Sequence, residues 1–484
     1  MARITELLSL SESAPREARE MVLPSATLEG WRWSGLRRAL PATPFAAADG
    51  STGTITAPEL SNASASMTET VLIDGHLAGD NNGGDVDGRR HINSDSDGDG
   101  NGRRHIKGDN NGAAGRRHIN TGGDNNGGKV NGRRHINGDS DGDGDNGGRV
   151  NSPINKDNDS GSCHINVMRD ADLSEPPARN GEETPFPALA RTLATHPLQI
   201  TVKGENKTPH SIRLVGTAAN TAAHLSLNTE LEKNASLHCV ITSEAANNEA
   251  RLVNSDCRFH LREGARLRLL ILENEAAQCF RTSRIHFTLA ANARAETFLI
   301  TRGGAFQRLE IETDLADNGA EFHIGGAHAL SPSRQAEVAL RVRHLAGDTL
   351  SRNRFRAAVG ANATHNFQGR IEIIPGADNA AAEMESKSLL MDESAKSRSK
   401  PELEIFHDNV ACSHGVAVSP ADADVLFYLR SRGIPLADAE RLTVSAFLRQ
   451  IFPAEHNDEF TESAKSRVET FAGMVTETVK GQAS

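Results

Sequence analysis

Pairs of a small turn residue and an alanine recur through the middle of this chain at nearly constant spacing. They are Asn234-Ala235, Gly264-Ala265, Asn292-Ala293, Gly319-Ala320 and Asn362-Ala363. The first four alanines are 30, 28 and 27 residues apart, and Gln335-Ala336 precedes Ala363 by 27 after one irregular step. Asn and Gly suit turns with positive φ, and a constant period with two or three strands per repeat is what stacked solenoid coils require.

The segments between these turns alternate apolar and polar residues, as half-buried strands do. Clear examples are 199–203, 265–273, 308–313, 337–343 and 369–374. A β-sandwich would show turns every 8–12 residues without the longer period. Only 4% of the residues are aromatic, which indicates an aliphatic core. We therefore expect a mainly β fold, with a β-helix (solenoid) core over 190–418.

The C-terminal part, 419–484, has a helical pattern. Ser419-Pro420 resembles a cap followed by proline in the first turn, and Gly433 is placed to end that helix. Pro435 opens a second helix with Leu436, Ala439, Leu442, Ala446 and Phe447 predicted on one side, and a third is predicted over 460–479. We expect these helices to close one end of the solenoid.

The N-terminal part, 1–79, contains a short apolar pattern at helical spacing formed by Ile4, Leu7 and Leu8. Both tryptophans of the chain, Trp31 and Trp33, lie further along this segment. Trp buries a large area per residue, so the two favour an anchor to the main body over a ligand platform. We predict a small N-terminal helical segment.

Residues 80–165 differ in composition from the rest of the chain. They are rich in Gly, Asp and Asn, and a GRRHI motif recurs four times at uneven spacing. Uneven spacing argues against stacked coils, and one Ile per unit buries too little to offset the backbone entropy of about 1–2 kcal/mol per residue. The composition predicts a disordered insert.

Two sharper interpretations of this insert stay open. DSDGDG occurs twice and matches the first half of an EF-hand loop, but Ile106 and Val150 stand where the bidentate Glu is needed. The Arg-Arg-His units could contact RNA or chelate a metal, but the interspersed Asp residues cancel their field. A solvated linker is favoured over both.

Charge and hydropathy exclude several protein classes. The 484 residues carry a formal net charge of -11, whereas nucleic-acid binders need a basic face. No apolar run approaches the roughly 20 residues that span a bilayer, and the first residues lack the apolar region of a secretory signal. We therefore expect a cytoplasmic protein.

The cysteine pattern points away from disulfides and closed zinc sites. The five cysteines are Cys163, Cys239, Cys257, Cys279 and Cys412. Their number is odd and no CxxC occurs, which is typical of reduced thiols and lacks the paired ligand spacing of structural zinc sites. Two places that hold a Cys and a His close together are worth weighing as sites, Cys163-His164 and Cys412-Ser413-His414.

Motifs of catalysis are missing from the sequence outside the Gly/Asp-rich insert, where no GxSxG, Walker loop, HExxH or GxGxxG after a strand occurs. A β-helix carbohydrate-active enzyme, a lyase or hydrolase, remains the alternative, although aromatic sugar platforms are scarce. A calcium-stiffened surface protein built around the insert is a third class.

Cys412 and His414 are two residues apart, so in a strand their side chains project from the same face. A thiolate beside an imidazole can bind iron or receive sulfur. Two ligands do not complete a metal site, so a partner chain would have to supply the others. On spacing alone, a buried Cys beside a hydrogen-bonded His is the favoured interpretation.

Segments around this pair resemble the SufB/SufD family of iron–sulfur cluster assembly proteins. The resemblance is strongest at Lys400–Ile405, Asn409–Gly415 and Leu426–Ile434, with supporting matches at 387–391, at 367–371 and in the N-terminal Trp-containing motif. It implies a right-handed parallel β-helix flanked by small N-terminal and C-terminal α-helical domains. It also implies a non-catalytic scaffold without a stably held cofactor.

The same resemblance implies partners and roles. A SufB-like subunit would pair with this chain, and a transient iron–sulfur cluster would form at their interface, with His414 as a metal ligand and Cys412 assisting. A SufC-like ABC ATPase, which binds the ATP, would dock through the C-terminal helices, around Phe427, Tyr428, Arg430, Arg432 and Gly433. Val416-Ala417-Val418 departs from the family pattern and leaves the local turn in question.

Overall fold

The computed structural model describes residues 185–206 and 209–477, together with the short segments 7–9, 16–20, 23, 44–47, 68–73, 76–77, 90–91 and 162–167. Within these residues the chain forms two 11-stranded sheets, and consecutive strands from residue 198 onward alternate between them. Strands two apart along the chain pair in parallel. Each coil thus adds one strand to each sheet, which confirms the predicted mainly β solenoid.

The first sheet pairs its strands in the order β1-β2-β9-β11-β13-β15-β17-β19-β21, with β7 parallel to β9 and β6 antiparallel to β7. Its strands are β1 (Leu8–Ser9), β2 (Phe45–Ala47), β6 (Ser162–Val167), β7 (Leu198–Lys203), β9 (Thr221–Leu231), β11 (Arg251–Leu261), β13 (Cys279–Leu289), β15 (Phe306–Leu315), β17 (Gln335–His344), β19 (Thr364–Ile373) and β21 (Lys396–Ile405).

The second sheet pairs its strands in the order β22-β20-β18-β16-β14-β12-β10-β8-β3-β4, and β5 pairs with β3. Its strands are β3 (Thr68–Ile73), β4 (His76–Leu77), β5 (Arg90–His91), β8 (His210–Gly216), β10 (Ser236–Ala245), β12 (Arg266–Asn274), β14 (Arg294–Thr301), β16 (Glu321–Leu330), β18 (Leu350–Val359), β20 (Ala380–Leu390) and β22 (Val410–Pro420).

The predicted turn residues have the backbone conformation that their types favour. Asn234, Gly264, Asn292, Gly319 and Asn362 all have φ between +55° and +73°. The first four stack at one corner of the solenoid, where the backbone N–H of each donates to the next coil at 2.9 to 3.2 Å. Because these turns repeat once per coil, they set the period that is visible in the sequence.

One step of the sequence argument was wrong in detail. Ala336 and Ala363 lie at the first sheet, whereas the four earlier alanines lie at the second. Ala336 is opposite His365, not Ala363. At the irregular step, the repeated alanine therefore moves from the corner before the second sheet to the corner before the first.

The core runs between the two sheets and is mostly aliphatic, as predicted, but aromatic rings stack inside it as well. The ring centroids of Phe259 and Phe287 are 5.3 Å apart, and those of Phe355 and Phe367 are 5.0 Å apart. The few aromatic residues of the described part of the chain are therefore mostly buried, and the surface has the lower aromatic content.

The helices within the described residues are few. They are α1 (Arg16–Glu20), α2 (Pro185–Leu193), α3 (Ala423–Ser431), α4 (Leu436–Leu448) and α5 (Glu459–Glu477), with a 3-10 turn at Arg449–Ile451 between the last two. None of the described helices is long and apolar enough to cross a membrane.

Helices α4 and α5 lie on the outer face of the second sheet and do not close its end, contrary to our expectation. The apolar side chains of α4 and α5 pack with those of β12, β14 and β16 in one buried cluster. The rings of Phe298 and Phe452 are 4.8 Å apart there. Arg268 on the sheet also holds Asp458, before α5, through contacts of 2.9 and 3.1 Å.

The predicted apolar side of α4 is only partly correct. Ala439 is fully buried, but Leu436 and Leu442 are 46% and 45% exposed, and Val444 and Leu448 are buried in their place. The buried side of α4 is rotated from the predicted one because the helix packs against the second sheet, and the sequence pattern did not show where that sheet lies.

Leu7 and Leu8 are buried, but Leu8 lies in a strand paired with β2, so the predicted helix is wrong at that point. Trp31 and Trp33 lie outside the described residues, as does the insert 80–165 except for Arg90–His91 and residues 162–165. The four domain boundaries stay predictions.

Candidate functional site

The solenoid ends in two strands with free edges. Within the described part of the chain, β21 pairs only with β19, and β22 only with β20. The opposite edges of both strands therefore present unpaired backbone N–H and C=O groups, which a further strand can extend. We call this region, formed by β21 and β22, the open end.

Cys412 and His414 lie on β22 at the open end. Cys412 is opposite Ala382 and His414 is opposite Met384 in the preceding coil. Ala382 and Met384 are both buried in the core between the sheets. The register thus places Cys412 and His414 on the inner face of the last coil, where no described coil covers them.

The two side chains differ in their surroundings. Cys412 is half-buried and packs against the main core, whereas His414 is exposed. Burial raises the pKa of the Cys412 thiol, and a backbone hydrogen bond involving Ala382 opposes this shift. At neutral pH the thiol is therefore protonated, and it must lose its proton to bind a metal ion.

The open end also exposes apolar side chains. Ile405, Phe406, Val416 and Val418 are between 41% and 60% exposed. Val416 and Val418 follow His414 on the same face of β22, which continues as a regular strand to Pro420. The turn that the family pattern left in question is absent from this segment. Sequence reasoning missed this apolar surface because nothing in the sequence shows where the stacking stops.

No group of three or more His, Cys, Asp or Glu side chains in the described residues is arranged to hold a metal ion. Cys163 and His164, the second pair considered from the sequence, lie on β6 opposite Val202 and Thr201 of β7. Their strand belongs to the first sheet, so the structure does not bring them into register with β22.

The predicted docking residues lie on α3 and just after it. The carboxylate of Asp422 accepts hydrogen bonds from the backbone N–H groups of Asp424 and Val425 at 2.9 and 3.4 Å. Asp422 is thus the N-cap, and the predicted cap at Ser419-Pro420 was wrong because those residues still belong to β22. Gly433, with φ +85°, ends the helix as predicted.

Helix α3 has no buried residue. Phe427 is 73% and Tyr428 57% exposed, and the Arg432 guanidinium lies 5.2 Å from the centre of the Tyr428 ring. Arg430 is exposed in the last turn. An amphipathic helix normally buries its apolar face, so this exposed aromatic surface beside the open end is a second candidate contact.

Comparisons with known proteins assign the solenoid to a family. Residues 214–447 match the family model described as SUF system FeS cluster assembly, SufBD core domain. The iron–sulfur cluster assembly protein SufD of Escherichia coli is 28% identical over 199 residues, which is 41% of this chain and 47% of the relative. SufD of Bacillus subtilis is 40% identical over 90 residues, 19% of this chain and 21% of the relative.

A SufBD family protein of Synechocystis is 40% identical over 85 residues, 18% of this chain and 19% of the relative. The chain thus spans about half the length of the E. coli relative and about a fifth of the other two. The matched region contains the parallel coils from β9 onward, the open end with Cys412 and His414, and helix α3. This chain therefore belongs to the SufB/SufD family of iron–sulfur cluster assembly proteins and is SufD-like.

Proposed function

We propose that this chain is a scaffold subunit of a Suf-type iron–sulfur cluster assembly complex and catalyses no reaction on its own. In this proposal it pairs with a SufB-like subunit through the open end and docks a SufC-like ABC ATPase through α3. It acts in the cytoplasm and holds no cofactor stably. Iron, sulfide and the nascent cluster are its cargo, and the ATPase binds the ATP.

The observation that carries the proposal is the pair of free strand edges at the open end. A partner strand that adds to β22 would satisfy its unpaired backbone groups and cover Val416 and Val418. Burying such side chains stabilises an interface by about 25 cal/mol per Å² of apolar surface. A second β-helix with a free edge of its own is a partner of suitable shape.

The same pairing would complete a cluster site. Cys412 and His414 supply one thiol and one imidazole, whereas a tetrahedral iron centre needs four ligands. A partner strand facing the inner side of β22 would bring its own side chains to the exposed imidazole of His414. Apolar neighbours would exclude water and strengthen the metal–ligand contacts.

Helix α3 follows directly after β22, so the two proposed contacts are joined by only two residues, 421 and 422. ATP-driven closure of a dimer of the ATPase would move α3, and with it the last strand of the solenoid. That movement would open the Cys412/His414 interface to iron and sulfide.

The test is co-purification of the full chain with SufB-like and SufC-like proteins from the same cell. Val418→Glu places a carboxylate on the inner face of β22, so we expect it to release the SufB-like subunit but retain the ATPase. Ala417→Glu, on the outer face of the same strand, is the matched control and should retain both partners.

Phe427→Ser should give the converse result and release only the ATPase, because Phe427 lies on the exposed side of α3. Retention of both partners by Val418→Glu and Phe427→Ser would contradict the proposed surfaces. Cleavage of a polysaccharide by the isolated wild-type chain would contradict the scaffold role and support a carbohydrate-active enzyme.

A further inference from the structure

A buried polar network lies inside the solenoid far from the open end. The Nε of Arg281 donates to Glu273 at 2.6 Å, and its Nη1 donates to Ser243 at 2.7 Å and reaches Glu275 at 3.4 Å. Ser243 also donates to Oε1 of Glu275. All four side chains are at most 3% exposed, so the network must satisfy its charges without bulk water.

Arg251, at the start of β11, borders this network but is not satisfied by it. The residue is 2% exposed. Its Nη2 donates to Oδ1 of Asn247 at 2.6 Å, yet its Nε and Nη1 have no hydrogen-bond partner. On the other side, Oε2 of Glu275 has no partner either. Leaving such a group unsatisfied costs about 1–3 kcal/mol, and more when it is charged.

A cavity of about 10 Å³ is lined by Arg251, Glu275, Ser243, Gly216 and Thr221, among others. Gly216 leaves room for the Arg251 side chain, since a Cβ at that position would lie 1.6 Å from Nη1 of Arg251. Two of the lining residues thus carry unsatisfied polar atoms, which are Nε and Nη1 of Arg251 and Oε2 of Glu275.

We propose that this cavity binds one ordered water molecule, which accepts a hydrogen bond from the Arg251 guanidinium and donates one to Oε2 of Glu275. A single buried water needs about 10–15 Å³ and two to four polar partners. The cavity has this volume, and three unsatisfied atoms belong to residues that line it.

Water fits this site better than a small anion does. A chloride ion would accept from Arg251 but would face the Glu275 carboxylate, whose free oxygen also carries negative charge. Water both accepts and donates, so it satisfies the two sides at once. The bridge would couple Arg251 on β11 to Glu275 just after β12 and so hold the first sheet to the second at this corner.

The test is a crystal structure of the full chain at a resolution that shows ordered water, with one crystal grown in bromide. We expect a single peak of water weight within about 2.7–3.2 Å of an Arg251 nitrogen and of Oε2 of Glu275, without an anomalous bromide signal. An empty cavity, or a bromide peak in it, would overturn the proposal.

Two variants extend the test. Arg251→Met removes both donors and should abolish the peak and lower the melting temperature. Thr221→Val is the matched control, because the Thr221 hydroxyl already donates to Ala218 at 3.0 Å, and it should retain the water. Loss of the peak in Thr221→Val, or its persistence in Arg251→Met, would contradict the assigned partners. If Arg251→Met does not fold, the wild-type and Thr221→Val crystals still decide.

Discussion

Acid should destabilise this protein through histidines buried in the solenoid, and His365 allows the effect to be measured one residue at a time. His365 is fully buried beside His328, with 5.0 Å between the ring centroids. Burial lowers the pKa of His365 from 6.5 to about 4. The folded state therefore keeps this imidazole neutral, whereas the unfolded state takes up a proton as the pH falls below 6.5.

The sign and size follow from this difference. Because the folded pKa is the lower one, the contribution of His365 to stability is lost as the pH falls from about 6.5 toward 4. Between pH 7.5 and 5.0 the loss from this one residue is about 2 kcal/mol at 1.36 kcal/mol per pKa unit. His210, His224 and His344 have pKa values lowered to about 4 by the same cause.

The assay is urea unfolding of wild type and His365→Phe at pH 7.5 and 5.0. The variant replaces one buried ring by another of similar size beside His328. We expect its loss of unfolding free energy on acidification to be smaller than the wild-type loss by about 2 kcal/mol. Equal losses in the two proteins would refute the reasoning, since His365 would then titrate alike in both states.

Three further predictions concern packing and docking. Arg268→Ala should increase hydrogen exchange in α5, since the Arg268 guanidinium donates hydrogen bonds of 2.9 to 3.1 Å to Asp458 and Thr461 and lies over the Phe460 ring. The exposed Arg266→Ala is the control, and equal exchange in the two variants would count against these contacts. Gly326→Ala should lower stability by about 1–3 kcal/mol, because its Cβ would lie 2.4 Å from a buried phenylalanine ring. Gly473 is the control, because a Cβ there would make an ordinary contact at 3.5 Å within a helix. Gly473→Ala should leave the melting temperature unchanged or raise it. A larger loss of stability in Gly473→Ala than in Gly326→Ala would contradict the packing. Phe427→Ser should leave the melting temperature unchanged, since this ring is 73% exposed; a clear fall would mean that it packs within the chain.

The coil repeat could be predicted from the sequence because its signal is local. Positive φ is a property of single residues, and Asn234, Gly264 and Asn292 mark one corner of each coil. The alternation between those turns indicates strands with one buried face. Ala336 shows the limit, because a residue pattern does not tell which of two sheets a turn precedes.

Contacts between residues far apart in sequence could not be predicted from such local patterns. The helices pack on the outside of the second sheet through contacts such as Phe298 with Phe452, more than 150 residues apart in sequence. The buried contact of Arg281 with Ser243 likewise joins residues that are 38 apart in sequence. Charged residues in a strand suggest a solvent-facing side, so a polar network inside the solenoid had no sequence signal.

The candidate site could be predicted from the sequence only in part. The spacing of Cys412 and His414 predicts that they share one face of a strand. It does not predict that this face is the inner side of an uncovered coil, because that depends on where the stacking of coils ends. Their role in cluster formation stays a prediction.

The most direct test of the account is cluster formation on the complete complex with wild-type chain, His414→Ala or His407→Ala. His407 is a second imidazole close to the open end, in contact with Asp378 at 3.4 Å, and serves as the matched control. Iron and sulfide bound per complex are measured after reconstitution, together with the subunit composition. The account predicts that His414→Ala loses the cluster from an intact complex while His407→Ala retains it. An unchanged cluster yield with His414→Ala would contradict it.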